Sequence, residues 1–487
     1  MRKMKENACN NKNQKKNPGF LLSAVSSNSG KTAAACGLMS AFKQTGKRVC
    51  ACKCGPDYID PMFHREVLSV DSKNLDLFFS EEVLKEEYLR HTKDADITIT
   101  EGVMGFYDGM SLDSVKGSSY DVARTLGLPV ILVINARGAA MTLAATVKGI
   151  VEFRPDSNIR GILLNRVSAM LYPRLKEMLE NELARIGHDE IKIVGYMPEN
   201  EAFHLESRHL GLVTPQEMEN LQEKVRQAGE ILAKTVDLEL LEKIAGEAAV
   251  WKAEVSEESE KIGSLKSLNY PVRIAVARDE AFCFYYKDNL ELLESLGCEV
   301  IEFSPLHDKK LPENVKGILL GGGYPELYGK ELAENQSMLE SIRRALDDKI
   351  PCLAECGGFM YLHEEMEDAD GNVWKLVGRI HGKTFPTGKL VRFGYVNLQV
   401  NSLGMGSERE AEGWFLPGEN IRAHEFHYWD STDSGSDCLA VKPDGKRKWE
   451  CIHMEENLVA GYPHLYYPSC KEFAERFVEK CRSGYRE

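Results

Sequence analysis

The chain lacks the long apolar runs that mark membrane proteins and the excess of positive charge that is typical of nucleic-acid-binding proteins. No stretch of its 487 residues approaches the roughly 18 consecutive apolar residues of a membrane span. The basic residues at the N-terminus are not followed by the apolar segment of a secretory signal. Its 61 Lys and Arg residues are outnumbered by 75 Asp and Glu residues, which gives a net charge of −14. We therefore expect a cytoplasmic protein without nucleic-acid or membrane partners.

A disulfide framework is also missing. The 13 cysteines are odd in number and are spread along the chain, which is typical of a reducing compartment. With 40 glycines and 18 prolines, collagen-like and low-complexity classes are excluded. Cys50, Cys52 and Cys54 alternate on one face of a predicted strand, and we interpret them as buried small residues rather than as metal ligands.

Short apolar strands alternate with helical stretches along the chain. Such alternation favours an α/β fold with parallel sheets that helices cover on both faces. The strands predicted in the first part of the chain are 20–25, 48–52, 96–100, 129–134, 161–164 and 193–195. Apolar residues at helical spacing predict one long amphipathic helix over 216–245. A second α/β pattern starts at Val272, and the sequence becomes richer in predicted strands beyond Thr384.

A change in composition divides the two patterns. Residues 254–266 are charged and rich in serine, as linkers often are. We therefore expect a disordered basic tail at 1–18, a first α/β domain at 19–246, a linker at 247–270 and a second α/β domain at 271–487.

The first candidate site is a phosphate loop at 26–32, with the sequence SSNSGKT. It follows a predicted strand and opens a predicted helix, so that backbone N–H groups and the helix N-terminus face the phosphates. Lys31 would reach the terminal phosphates and the Thr32 hydroxyl would bind Mg²⁺, while Ser29 and Gly30 contribute backbone. The loop departs from the usual pattern because Val25 stands at the first glycine position.

Two acidic loops follow neighbouring predicted strands and are expected at the same edge of the sheet. One carries Asp57 and Tyr58, which suit substrate binding. The other carries Glu101 and Asp108, whose oxygens are candidate ligands of Mg²⁺. Asn165 ends a further strand, where its amide could read an adenine edge. The alternative for the two aspartates is that they cap turns, and Ser118 or Ser119 is expected to cap a helix.

The second domain carries a candidate nucleophile. Cys356 stands between a predicted strand at 350–354 and a predicted helix, within the sequence AECGGF, and such a sharp turn exposes a nucleophile. We expect the helix N-terminus to lower the pKa of its thiol. Backbone N–H groups of Gly322, Gly323 and Gly357 are candidate oxyanion donors. The candidate bases are the histidines near the C-terminus, namely His424, His427 and His464.

Taken together, these motifs resemble the cobyrinic acid a,c-diamide synthase family of corrinoid biosynthesis. The resemblance covers about residues 20–487. The segments that carry it are 26–32, GPDYIDP at 55–61, EGVMGFYDG at 101–109, SRHLGL at 207–212, GGGYPE at 321–326, ECGG at 355–358 and GYPHL at 461–465.

The resemblance implies an N-terminal domain similar to dethiobiotin synthetase and a C-terminal glutamine amidotransferase domain of the triad type. ATP and Mg²⁺ would phosphorylate the a and c acetates of a corrinoid, and ammonia from glutamine would displace the phosphate. Cys356 matches the family nucleophile and His464 its base. Asp57, Tyr58, Glu101 and Asp108 match positions around the carboxylate and ATP. Usual triad amidotransferases have a Glu two residues after the His, and Tyr466 stands there in this chain.

Three alternatives stay open at this level. The same chemistry could act on nickel-sirohydrochlorin, because that family shares the motifs. Cobyric acid synthase fits the segment at 56–61 less well. In a different class, a regulatory P-loop ATPase could carry an inactive amidotransferase domain as an interaction module, although Cys356 and His464 are both intact. A homodimer is compatible with the sequence.

Overall fold

A computed structural model describes residues 14–15, 17–205, 215–252, 271–401, 413–416 and 418–483. By its internal contacts the chain divides into two units, Met1–Glu254 and Val255–Glu487. Most of the predicted basic tail, residues 253–270 of the predicted linker and the segment at 207–212 lie outside the described residues. No helix in the described part of the chain is both long and apolar enough to cross a membrane.

A seven-stranded parallel sheet forms the centre of the first unit. Its order is β4-β3-β5-β2-β6-β7-β8. The strands of this unit are β1 Gln14–Lys15, β2 Gly19–Ala24, β3 Val49–Cys54, β4 Ser72–Leu75, β5 Ile97–Glu101, β6 Val130–Asn135, β7 Ile159–Asn165, β8 Lys192–Met197 and β9 Trp251–Lys252, of which β1 and β9 pair with each other. Every residue of β2 is buried, as expected for a central strand covered on both faces. The predicted parallel α/β fold is confirmed for this unit.

Helices connect these strands. Their bounds are Lys31–Gln44, Ile59–Glu66, Leu77–Ser80, Leu84–His91, Ser119–Leu126, Met141–Glu152, Tyr172–Arg185, Pro215–Thr235 and Leu238–Ala245. Ser118 caps the helix Ser119–Leu126 by accepting the N–H of Asp121, as predicted. Cys50, Cys52 and Cys54 are all buried in β3, which agrees with their interpretation as packing residues.

The prediction of one continuous helix over 216–245 is wrong. The first helix ends at Thr235, and a second begins after Asp237, whose carboxylate accepts the N–H of Leu240 at 2.9 Å. Between them, Val236 bridges to Gly195 of β8. The apolar periodicity continues through the break, so periodicity alone could not reveal it.

A six-stranded sheet forms the centre of the second unit, in the order β12-β10-β13-β15-β25-β24. All its pairings are parallel except that of the edge strand β24 with β25. The strands of this unit are β10 Val272–Ala277, β11 Phe282–Phe284, β12 Cys298–Phe303, β13 Gly317–Leu320, β14 Gly322–Gly323, β15 Cys352–Glu355, β16 His363–Glu367, β17 Val373–Lys375, β18 Ile380–Pro386, β19 Arg392–Val400, β20 Asn420–His427, β21 Trp429–Ser431, β22 Cys438–Val441, β23 Lys448–Cys451, β24 His453–Glu455, β25 Leu458–Gly461 and β26 His464–Leu465.

The second half of the second unit is rich in strands, as predicted beyond Thr384. Strands β23-β22-β19-β20-β26 form an antiparallel sheet, and β17-β16-β18-β21 form a mixed one. The helices of the unit are Lys287–Ser295, Gly329–Glu334, Gln336–Asp347, Gly357–Tyr361 and Lys471–Ser483. The parallel strand β15 leads directly to Cys356, and β26 carries His464.

Candidate active sites

The side chain of Asn165 supports the backbone of the phosphate loop. Gly30 begins the helix Lys31–Gln44 with a φ of 93°, a left-handed conformation that favours glycine. A Cβ at this position would lie 2.3 Å from Nδ2 of Asn165. The same nitrogen donates to the carbonyl of Ser29 at 2.9 Å. In this structure the Asn165 amide therefore supports the loop backbone, whereas the sequence interpretation assigned it to an adenine edge.

Lys31 places its ammonium group at the edge of the sheet where the parallel strands end. Its ammonium donates to the carbonyl of Ser26 at 3.2 Å and to the carbonyl of Met104. Burial and the neighbouring Lys53 lower the pKa of Lys31 to about 8, against the attraction of Glu101 and Asp108. The loop after β5 thus meets the phosphate loop, as the sequence predicted.

Glu101 is the centre of a buried polar cluster. It is completely buried, accepts from the Thr32 hydroxyl at 2.6 Å and pairs with the Lys53 ammonium at 2.9 Å. The Nε2 of His64 lies 3.5 Å from its other oxygen. Burial favours the neutral acid, but Lys53, His64 and Thr32 together hold the pKa of Glu101 well below its usual range. Glu101 therefore presents a buried carboxylate beside the threonine of the phosphate loop.

Three members of this cluster, Lys53, Asp60 and His64, were not among the predicted site residues. Lys53 and Asp60 form an ion pair. Burial and the charge of Glu101 raise the pKa of Asp60 to about 7, while Lys53 opposes that rise. One signal was present in the sequence: Lys53 interrupts an apolar strand near its carboxyl end. A buried ammonium requires acidic partners.

Asp57 and Asp108 support the backbone of their own loops. Asp57 accepts the N–H groups of Ile59 at 2.8 Å and Asp60 at 3.3 Å, at the start of the helix Ile59–Glu66. Asp108 accepts the N–H of Gly105 at 2.9 Å. These are the contacts that the turn-capping alternative predicts. Tyr58 immediately precedes the helix and is half-buried, so its role in binding substrate stays a prediction.

In the second unit, Cys356 lies on a strained turn. Its φ of 47° and ψ of −103° separate β15 from the helix Gly357–Tyr361. The Cys356 N–H donates to the carbonyl of Gly461 at 2.8 Å, which ties the turn to β25. A non-glycine residue in this region is held there only by its surroundings. The backbone has the sharp geometry that the sequence predicted for a nucleophile.

The glycines of the predicted oxyanion site connect Cys356 to His464. A Cβ at Gly357 would lie 3.1 Å from the backbone nitrogen of Gly323, and a Cβ at Gly322 would lie 2.4 Å from Cε1 of His464. Any side chain at Gly322 would thus collide with the imidazole. The structure therefore brings all five predicted residues of this site into one place.

A residue that the sequence analysis missed supports this glycine run. The Tyr285 hydroxyl accepts the N–H of Gly321 at 2.8 Å and donates to the carbonyl of Ala277. A Cβ at Gly321 would lie 2.4 Å from the Tyr285 ring. No motif connects these residues in the sequence, since they meet only through the pairing of β11 with β14.

The two rival histidines occupy different surroundings. His427 stacks on Tyr462 with ring centroids 3.9 Å apart, and its Nδ1 lies 2.6 Å from the carbonyl of Trp429. His424 lies opposite His464 across β20 and β26. His464 alone of the three lies against Gly322, which supports its choice as the base.

The protonation states differ from the sequence expectation. Burial raises the pKa of the Cys356 thiol, and Glu326 adds to that effect, while the Gly357 N–H opposes it. We expected the helix N-terminus to lower the pKa of this thiol. The effect of burial is larger, because the helix has only 5 residues and the thiol is buried. Burial, with His424 and His427, lowers the pKa of His464 to about 3. The resting site therefore contains a neutral thiol and a neutral imidazole.

Comparison with known proteins agrees with this division into two sites. Residues 21–213 match the CobQ/CobB/MinD/ParA nucleotide binding domain, and residues 273–470 match the CobB/CobQ-like glutamine amidotransferase domain.

Relatives named cobyrinate a,c-diamide synthase align over nearly the whole chain. The protein of Caldanaerobacter subterraneus subsp. tengcongensis is 37% identical, over 96% of this chain and 99% of its own. The protein of Clostridium tetani is 39% identical over 95% and 99%, and that of Fusobacterium nucleatum is 40% identical over 94% and 99%. The resemblance found in the motifs is thereby confirmed, and the chain belongs to the cobyrinate a,c-diamide synthase family of glutamine-dependent amidating ligases.

Proposed function

We propose that the enzyme converts the a and c acetate groups of cobyrinic acid to amides, with ATP to activate each carboxylate and glutamine as the source of ammonia. The observation that carries the proposal is the presence, in one chain, of a phosphate loop beside a buried carboxylate and of a strained cysteine beside a histidine. Relatives that span both units are named for this reaction.

The first half of the reaction is assigned to the first unit. A carboxylate resists attack by ammonia because oxide would have to leave. An acetate oxygen therefore attacks the γ-phosphorus of ATP, and ADP leaves. Ammonia then adds to the acyl carbon, and phosphate departs with the former carboxylate oxygen. Lys31 stabilises charge on the transferred phosphoryl group, since catalysis of such transfers is mainly positioning and electrostatics.

Thr32 and Glu101 are suited to hold Mg²⁺. Their oxygens meet at 2.6 Å in a buried position beside the loop. Mg²⁺ usually takes only one or two protein carboxylates together with the phosphates of its nucleotide. Glu101 supplies one such carboxylate. When bound, Mg²⁺ would neutralise phosphate charge. Asp108 stays a predicted ligand of Mg²⁺, and we assign Asp57 and Tyr58 to substrate binding.

The second half supplies ammonia at Cys356. The thiol transfers its proton to His464 and attacks the glutamine amide carbon. Backbone N–H groups of Gly322, Gly323 and Gly357 face the resulting oxyanion. Ammonia leaves with the proton from His464, and water hydrolyses the thioester to glutamate. Because burial favours the neutral form of both groups at rest, the proton has to move from Cys356 to His464 during the reaction.

Substrate and donor dependence test the proposal. We expect two amides per molecule, counted by mass spectrometry, when cobyrinic acid is incubated with the protein, ATP, Mg²⁺ and glutamine. A parallel incubation uses nickel-sirohydrochlorin as the substrate. If the protein amidates nickel-sirohydrochlorin faster than cobyrinic acid, nickel-sirohydrochlorin is the substrate and the corrinoid is not. Absence of ATP-dependent amidation on either substrate would favour a regulatory ATPase.

The donor arm uses Cys356→Ala. This variant should lose glutamine-dependent amidation and retain amidation with ammonium chloride, because the thiol attacks only glutamine. If ammonium fails to restore product in the folded variant, the assignment of the two half-reactions to separate sites is wrong.

A further inference from the structure

The segment that carries the proposed base is held by two buried polar side chains. We call residues 464–467 the His464 segment. Asn289, on the helix Lys287–Ser295, donates to the carbonyl of Leu465 at 2.7 Å and accepts the N–H of Tyr467 at 2.9 Å. Glu355, the residue before the nucleophile, accepts from the Tyr467 hydroxyl at 2.9 Å and from the Leu465 N–H.

These contacts are the kind that set the position of a backbone segment. Asn289 is 5% exposed and Glu355 is 8% exposed, so water does not compete for their hydrogen bonds. The segment pairs with β20 on one side, where the Tyr466 N–H donates to the carbonyl of Arg422 at 2.9 Å. Because alternate residues of a strand point to opposite sides, the Leu465 N–H faces away from β20. Glu355 accepts the hydrogen bond from this N–H.

The position that holds the acid in usual triad amidotransferases cannot serve that role in this chain. Tyr466 stands there, 2% exposed, with its ring 5.8 Å from that of Tyr286. Glu355 is the buried acid that contacts the His464 segment instead. Its contacts are to Leu465 and Tyr467 on either side of Tyr466.

We propose that Glu355 and Asn289 are positioning residues, which hold the His464 segment so that the imidazole stays aligned with Cys356. The inference rests on the proposed glutaminase role of Cys356 and His464. Glu355 occupies the strand residue next to the nucleophile, so one side chain connects the two halves of the site. Its function is to accept hydrogen bonds, not to carry charge.

The electrostatics agree with an uncharged acceptor. Burial raises the pKa of Glu355 to about 8, and the hydrogen bonds from Tyr467 and Leu465 oppose that rise. A negative charge at Glu355 would raise the pKa of the adjacent thiol further, in addition to the effects of Glu326 and Glu425. A neutral carboxyl group holds the segment without opposing thiolate formation.

The test compares Glu355→Gln with Glu355→Leu in the full chain. Glutamine keeps the accepting oxygen, and leucine removes it at similar volume. We expect Glu355→Leu to lower kcat of glutamine hydrolysis roughly 100-fold, the effect of about 1 Å of misplacement, with KM changed less than about 3-fold. Glu355→Gln should stay within about 3-fold of wild type. The matched control is Glu334→Leu, an exposed position at the end of the helix Gly329–Glu334 in the same unit, which should leave kcat unchanged.

Each outcome has one meaning. Equal loss in Glu355→Gln and Glu355→Leu would show that charge or proton transfer matters and would overturn the inference, as would full activity in Glu355→Leu. If the second unit of Glu355→Leu does not fold, judged by loss of its urea unfolding transition, Tyr467→Phe and Asn289→Ala take its place and should each lower kcat about 10-fold without changing KM. Unchanged kcat in both would overturn the inference. If Cys356→Ala still hydrolyses glutamine, the proposed function itself fails, whatever Glu355 does.

Discussion

Lys31 is nearly buried and its ammonium is held by two backbone carbonyls. Replacement by alanine removes the cation that faces the terminal phosphates, and loss of one such electrostatic partner typically costs roughly 100-fold to 1,000-fold in rate. We therefore expect Lys31→Ala to lower ATP-dependent amidation by at least roughly 100-fold, with either glutamine or ammonium as donor. Glutamine hydrolysis should continue in the same preparation, because Cys356 lies in the other unit.

The control for this variant is Lys47→Ala. Lys47 makes a surface ion pair with Glu242 and lies outside the phosphate loop, so amidation should be unchanged. Equal amidation rates for Lys31→Ala and wild type at saturating ATP would show that Lys31 does not contact the nucleotide.

His363 makes the stability of the second unit depend on pH. It is fully buried between the carbonyl of Phe359 and the hydroxyl of Ser431, and burial lowers its pKa from 6.5 to about 4. Below pH 6.5 the unfolded chain therefore binds a proton that the folded chain does not. The stabilisation from neutral His363 is complete above pH 6.5, falls as the pH drops towards 4 and then levels off.

The measurement compares urea unfolding of wild type with that of His363→Gln between pH 7 and pH 4. Between pH 6.5 and pH 4, the free energy of unfolding of wild type should fall relative to that of His363→Gln. The fall should be about 1.4 kcal/mol per pH unit, the value for one proton. His381→Gln is the control because His381 is exposed. A difference that does not vary with pH would contradict the assignment.

At the level of single residues, the sequence identified the groups that belong to local motifs. Cys356 was recognised from the glycines directly after it and Lys31 from its position after a strand. Lys53, His64 and Tyr285 were not predicted because their partners Glu101 and Gly321 come from other segments. The pKa of Cys356 was predicted in the wrong direction, because burial is a property of the packed unit.

At the level of elements, the helix Leu238–Ala245 depends on its cap. Asp237 accepts the Leu240 N–H at 2.9 Å, and loss of such a cap costs about 1 kcal/mol. In Asp237→Ala we expect the amides of this helix to exchange with deuterium roughly five-fold faster, as measured by mass spectrometry of peptides over 238–245. Asp237→Asn keeps an accepting oxygen and should resemble wild type. If the amides of Asp237→Ala exchange as slowly as those of Asp237→Asn and wild type, the cap does not stabilise the helix.

Strands were more predictable than the ends of helices. The buried parallel strands β2, β6 and β7 each contain a run of three or more apolar residues, which the sequence displays directly. The helix Ile59–Glu66 was missed because Asp57, Pro61 and the preceding glycine indicated a loop. Here Asp57 caps the helix and Pro61 lies in its first turn, where its missing N–H costs nothing. The same residue types thus occur in loops and at helix starts, and only the packing of the next turn distinguishes the two.

At the level of the whole molecule, the proposed function divides one reaction between the two units, with activation in the first and ammonia production in the second. This division has a consequence for the fate of one oxygen atom. If an acetate oxygen attacks the γ-phosphorus of ATP, that oxygen leaves with phosphate when ammonia adds. With cobyrinic acid whose carboxylates carry ¹⁸O, we expect one ¹⁸O atom in inorganic phosphate for each amide formed, as measured by mass spectrometry of the phosphate.

The same labelling should occur in Cys356→Ala supplied with ammonium, because activation requires only the first unit. Lys31→Ala should form neither amide nor labelled phosphate. Amide formation with unlabelled phosphate would show that ATP hydrolysis drives the reaction without phosphorylation of the carboxylate, and the proposed role of the phosphate loop would then have to change from group transfer to coupling. Transfer of the label in wild type but not in Cys356→Ala with ammonium would show instead that activation depends on an intact glutaminase site, and the two steps would not be separable.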